Sequence, residues 1–123
     1  MGRVLIVEDE PAIGKLIAET LGHMGLEPVC ISSDLEAYAI LPTLPAFQAL
    51  VVDVNLGTGT TGFDVARFAR QAVPDIPVVY VTGAVTEDSF RAFGVPGSTY
   101  IAKPFAAHAL AAAIRSQLAV AED

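Results

Sequence analysis

The apolar run "LVV" at residues 50–52 ends in an ionisable carboxylate, Asp53. Other apolar runs in the chain also end in groups that do chemistry. "VLIV" is followed by Glu8, Asp9 and Glu10, "VVYV" by Thr82 and Gly83, and "YIA" by Lys103 and Pro104. If Glu8, Asp9 and Asp53 converge, their charges repel and raise one another's pKa. A hard divalent cation removes that conflict. Mg2+ (or Mn2+) would suit the pocket, because such ions take oxygen ligands, one or two carboxylates and phosphate oxygens among them. The same ion would draw in a phosphoryl group and neutralise its charge in transfer. Asp53 then has the chemistry of a carboxylate nucleophile. Lys103 is a cation on a flexible stem that can reach a phosphoryl oxygen, and Thr82 offers a hydroxyl. Singly, each has an ordinary reading: Asp53 as a turn cap, Thr82 as a turn residue, Lys103 as surface charge. Together, at the ends of four apolar runs, they read as a site. Glu10 is expected to be merely solvated.

The elements that position these groups follow from periodicity. Residues 4–7 form a β-branched-rich run of strand length. Ile13, Leu16, Ile17, Thr20, Leu21 and Met24 then recur at helical spacing, with Pro11 near the first turn. Residues 28–31 read as a weaker second strand, and Ser33 or Asp34 as the cap of a short helix reaching about Leu41. The third strand is expected at 48–53 and a helix at 62–73, with Phe63, Ala66, Ala69 and Val73 on one face. A fourth strand follows at 77–81, then a helix capped by Thr86 whose first turn holds Glu87 and Asp88. The fifth strand spans 98–102. The last helix runs from Phe105 to about Val120, with Leu110, Ile114 and Leu118 in a stripe. Apolar strands alternating with helices imply an α/β fold, a parallel sheet covered on both faces. The expected architecture is a (βα)5, doubly wound, flavodoxin-like sheet of order 2-1-3-4-5, in which ligands bind outside the strands' carboxyl ends. That is where Glu8, Asp9, Asp53, Thr82 and Lys103 stand, with strands 1 and 3 as neighbours.

Bulk properties narrow the function further. The chain has 123 residues, 53% hydrophobic and 17% charged, which suits one globular domain over residues 1–123. A net charge of −7 argues against direct nucleic-acid binding and against an anionic membrane surface. No apolar run reaches the roughly 18 residues of a membrane span. The first strand begins almost at Met1, leaving no room for a signal peptide, so a cytoplasmic protein is expected. The one cysteine, Cys30, excludes an internal disulfide and is expected as a buried small hydrophobe.

With Glu8-Asp9, Asp53, Thr82-Gly83 and Lys103-Pro104-Phe105 in this order and spacing, the chain resembles a response-regulator receiver domain of the two-component phosphorelay type. The resemblance runs from Arg3 to about Leu118. It implies that Asp53 accepts a phosphoryl group from a phosphohistidine on a histidine kinase or a histidine phosphotransfer protein. It implies that Asp9 and Asp53 bind Mg2+ directly, Glu8 through water, and Asn55 through its backbone carbonyl. Thr82 would bond the phosphoryl group and move toward it, Lys103 would pair with a phosphoryl oxygen, and Tyr100 would turn inward as the switch aromatic. Tyr100 also reads equally well as an ordinary half-buried strand residue. The Lys103–Pro104 bond would be cis. Phosphorylation would bias the helix 4–strand 5–helix 5 face. Helix 5 is rich in alanine, which would let that face form a homodimer or dock a partner; alanine also simply favours helix. His23 and His108 are expected at the surface or in packing, not as phosphodonors.

The sequence departs from the family pattern in places. Glu8 stands where aspartate is commoner. The loop "VNLGTGTTG" lacks the usual proline and carries Gly57, Gly59 and Gly62, which predicts a mobile rim. Ala84 cannot position a hydrolytic water. The competing readings are weaker. A flavodoxin-like cofactor binder needs a phosphate-cradling loop after strand 1, but "EDEPAIG" would repel phosphate unless a metal intervened. An aspartate-nucleophile phosphatase pairs two aspartates after its first strand. A degenerate receiver acting as a phosphorylation-independent interaction module would not need the full set of Asp9, Asp53, Thr82 and Lys103. The chain is expected to be a signalling phosphoacceptor, not an enzyme with its own substrate.

Overall fold

A computed structural model describes residues 2–42, 47–56, 61–83 and 87–122, the side chains of 120–122 excepted. Five strands and five helices alternate along the chain. In chain order they are β1 (Arg3–Val7), α1 (Pro11–His23), β2 (Glu27–Ile31), α2 (Asp34–Ile40), β3 (Ala49–Asp53), α3 (Gly62–Ala72), β4 (Val78–Thr82), α4 (Glu87–Phe93), β5 (Thr99–Ala102) and α5 (Ala107–Glu122). All strand pairs are parallel and the order is β2-β1-β3-β4-β5, as expected. The helix expected to begin at Phe105 begins at Ala107, after a cis Lys103–Pro104 bond. Other boundaries differ from expectation by a residue or so.

The two sheet faces bury different sets of residues, because side chains alternate along a strand. Val4, Ile6, Val51, Val79 and Val81 pack with Ile17 and Leu21 of α1 and Leu110 and Ile114 of α5. Leu5, Val7, Leu50, Val52, Val78 and Tyr80 face α2, α3 and α4, with Phe63, Val65, Ala66 and Ala69 from α3. Every residue of β3 and β4 is buried. Burial of each Val or Leu in such a layer stabilises by roughly 1.5–3 kcal/mol. That is enough to hold a strand end rigid even where it carries charge.

The edge strand β2 is different. Cys30 is exposed there, not buried as expected. Its neighbours Val29 and Ile31 pack inward, but an edge strand has only part of a helix above it. The thiol lies against α1 where the helix has no side chain: a Cβ on Gly14 would meet Cys30 Sγ at 3.1 Å. Partial burial, with Glu8 and Glu36 nearby, holds the thiol above its ordinary pKa.

Helix starts follow local chemistry. Ser33 caps α2 by accepting from the Glu36 amide at 3.2 Å. Thr61 and Asp64 form a reciprocal capping box at the start of α3. Thr86, expected to cap α4, lies outside the described residues, as do Gly57, Gly59 and Ala84. His23 and His108 are both exposed.

Candidate functional site

The strand ends bring the expected groups together. Carboxylate oxygens of Glu8, Asp9, Glu10 and Asp53 all lie within 4.8 Å of one another. Glu8 continues the line of β1, since its amide donates to the Ile31 carbonyl at 3.0 Å. Its side chain is fully buried, and its Oε2 accepts from the Glu10 amide at 3.2 Å. Asp9 and Glu10 are exposed.

Asp53 is only 4% exposed at the tip of β3. Its Oδ1 accepts from the Asn55 amide at 3.1 Å, so the turn leaving the strand is organised by the carboxylate itself. Val54 continues toward β4, donating to the Val81 carbonyl at 3.1 Å. Asn55 pairs with Thr61 across an isolated antiparallel bridge, and the Gly62 amide donates to the Val54 carbonyl at 2.8 Å. The start of α3 is thereby clamped onto the strand end. Only glycine fits: a Cβ on Gly62 would lie 2.2 Å from the Asp53 carbonyl oxygen.

Thr82 ends β4, buried, and its carbonyl accepts from the Lys103 amide at 2.7 Å. That bond fixes the root of Lys103 beside β4. The ammonium then reaches three carboxylates: Glu8 Oε1 at 3.1 Å, Glu10 Oε1 at 3.1 Å and Asp53 Oδ2 at 3.2 Å. Glu10 is exposed, as expected, and in addition its carboxylate pairs with Lys103, a contact the sequence did not suggest. The partners are far apart in sequence, and an exposed glutamate in a loop carries no signal for such a contact. Only its place in the same loop as Glu8 and Asp9 could have suggested it.

The electrostatics follow from this crowding. Burial, the adjoining Asp53 carboxyl and its charge push Glu8 up to about 7, against the Lys103 ammonium and the Glu10 amide, which favour the anion. Burial alone would lower Lys103, but Glu8, Glu10 and Asp53 override it and hold the amine above the usual lysine value. Glu8 Oε1 is buried and close to Lys103 Nζ without forming a hydrogen bond. Its compensation is therefore charge alone, which a divalent cation would supply better. Hard oxygen donors of net negative charge around such an oxygen fit Mg2+.

Tyr100 stands opposite Tyr80 in the register, and Thr82 opposite Ala102. Tyr100 and Thr82 therefore project to the same face of the sheet. Tyr100 is half-buried, its ring 4.8 Å from that of Phe90 on α4. The Tyr80 hydroxyl, not singled out from the sequence, accepts from the Val95 amide at 3.1 Å and ties the segment after α4 to the sheet.

A doubly wound parallel sheet with an acidic pocket, a buried aspartate and a lysine at its carboxyl edge defines a class of α/β proteins whose sites stand at the carboxyl ends of the strands. Residues 4–115 match the response regulator receiver domain model, and the chain belongs to that family. It is 31% identical over 117 residues to the transcriptional regulatory protein BaeR of Escherichia coli O6:H1, covering 94% of this chain and 48% of that protein. It is 37% identical over 119 residues to the transcriptional regulatory protein TcrA of Mycobacterium tuberculosis, covering 93% of this chain and 45% of that protein. The chain thus spans about half the length of these relatives. The structure of a response regulator receiver protein from Sinorhizobium medicae superposes with a TM-score of 0.91 at 28% identity, covering 98% of this chain and 96% of that one. No helix among the described residues is long and apolar enough to cross a membrane.

Proposed function

We propose that residues 1–123 act as one receiver domain in which Asp53 accepts a phosphoryl group from a phosphohistidine on a histidine kinase or a histidine phosphotransfer protein. The observation that carries this reading is Asp53 itself: a buried carboxylate at a strand tip, held by the Asn55 amide and faced by Lys103 at 3.2 Å. A carboxylate oxygen of Asp53 attacks phosphorus, the phosphorus–nitrogen bond breaks, and its electron pair stays on the imidazole nitrogen. Mg2+, when bound, would supply charge neutralisation to the phosphoryl oxygens. Asp9, Asp53 and the Asn55 backbone carbonyl would hold it, with Glu8 acting through water. Lys103 takes a phosphoryl oxygen and Thr82 donates its hydroxyl.

Phosphorylation adds negative charge where Thr82 and Lys103 can respond. Thr82 moves toward the new group, and Tyr100, on the same sheet face and packed on Phe90, turns inward. The α4–β5–α5 surface is then the signalling output, and a homodimer through it is one form that output can take. A cytoplasmic location and the absence of direct nucleic-acid or membrane binding belong to the same reading. The test is incubation with acetyl phosphate and Mg2+ followed by intact mass. One phosphoryl group is expected on the wild type and none on Asp53→Asn or in EDTA. A wild type that stays unlabelled under several donors refutes the reading.

A further inference from the structure

We infer that Glu10 is a positioning residue for Lys103: it tethers the ammonium over the acidic pocket while the other carboxylates are committed to reaction. The inference rests on the phosphoacceptor reading of Asp53. Glu10 occupies the residue that caps α1, with φ −94° and ψ 111°, yet its side chain makes no capping bond. It crosses from the loop after β1 to the loop after β5, and its Oε1 lies 3.1 Å from Lys103 Nζ. The Lys103 side chain is 13% exposed and that of Glu10 61%, so Glu10 closes the outer side of a largely enclosed amine.

An ammonium has three N–H donors, and three carboxylates face this one. Two of them, Glu8 and Asp53, belong to the metal-binding and phosphoryl-accepting set. Glu10 stands at the exposed rim of the same acidic cluster and has no part in the proposed metal and phosphoryl contacts. It is the acceptor still available to Lys103 once Asp53 turns to a phosphoryl group. One donor tied to Glu10 leaves the other two aimed into the pocket. Without the tie, a lysine stem with several rotatable bonds spreads into solvent-facing rotamers.

The opposite expectation is also physical. A carboxylate at the mouth of the site repels an anionic phosphodonor, so its removal would speed the reaction. The direction of the effect separates the two. Glu10→Ala and Glu10→Gln should be compared with wild type for labelling by acetyl phosphate at saturating Mg2+. Tethering predicts a rate about two- to five-fold lower in Glu10→Ala, the ordinary size of one exposed charged contact. Glu10→Gln, which keeps an acceptor oxygen, should fall between. In a Lys103→Met background, Glu10→Ala should change nothing further. A faster Glu10→Ala, or an equal slowing without Lys103, overturns the inference. A second readout needs no phosphorylation. The Lys103 Cε and Nζ resonances should shift in Glu10→Ala, with and without Mg2+, and unchanged resonances overturn the tether. Failure of the parent reading looks different, since the wild type itself would then take no label.

Discussion

Replacing Gly62 with alanine would press a methyl group into the backbone of the phosphoacceptor strand. The new Cβ would lie 2.2 Å from the Asp53 carbonyl oxygen and 2.8 Å from both the Asp53 carbonyl carbon and the Val54 Cα. These are main-chain atoms in a buried strand, so no flexible side chain can yield. Ordinary contact requires the first turn of α3 or the Asp53 peptide to move by about 1 Å. Overpacking of this kind typically costs about 1–3 kcal/mol. The displacement falls on the residue that carries the chemistry, where a misplacement of this size can slow a reaction roughly ten- to a hundred-fold. Urea unfolding gives the first quantity, and the rate of acetyl phosphate labelling under native conditions gives the second. Gly22→Ala is the control. It lies in α1 with nothing within 4 Å of its would-be Cβ, and it should gain up to about 1 kcal/mol from helix propensity. If Gly62→Ala stays within about 0.5 kcal/mol of wild type and labels at the same rate, the clamp between α3 and β3 is not as tight as argued.

Other outcomes follow from single contacts. Tyr80→Phe leaves the Val95 amide without its buried acceptor and should lower stability by about 1–3 kcal/mol in urea unfolding. Thr61→Ala removes half of the capping box on α3; a loss of about 1 kcal/mol is expected, read from the same transition. Glu8, pushed up from 4.5 to about 7, binds a proton more tightly in the folded than in the unfolded chain. In the absence of divalent cations, stability should therefore fall as pH rises from about 4.5 through 7, by at most about 3 kcal/mol. Thermal unfolding across that range should show the slope in wild type and a flatter profile in Glu8→Gln.

The sheet was legible because β1, β3 and β4 are apolar on both faces, a pattern that only a covered parallel sheet explains. Asp53, Thr82 and Lys103 stood out because each interrupts such a run at its end. Cys30 was misread for an instructive reason. Burial was inferred from its apolar neighbours, although the expected order already placed β2 at an edge, where half the cover is missing. The pairing of Glu10 was missed because its partner, Lys103, is brought to it by the tertiary fold alone. Tyr80 looked like one more strand residue, since nothing in "VVYVT" shows that a buried hydroxyl would need an amide from beyond α4. The start of α5 shifted to Ala107 because propensity alone gave no reason to leave Phe105 and Ala106 outside the helix.

The acidic groups and their counter-ion enter the chain at opposite ends. Glu8, Asp9 and Glu10 follow β1, the first strand of the fold, while Lys103 follows β5, a short edge strand that completes the sheet. During synthesis, β1 and β3 are both made before Lys103. Until then their carboxylates would meet with only the Glu10 and Asn55 amides to compensate them, and water, protons or metal ions from outside would ease the remaining repulsion. Docking of the last strand thus does more than cover a sheet edge. It brings in the charge that lets the edge of the growing sheet close over its own acids, and it makes a chain ending before Lys103 depend on external cations to a degree that the whole chain does not.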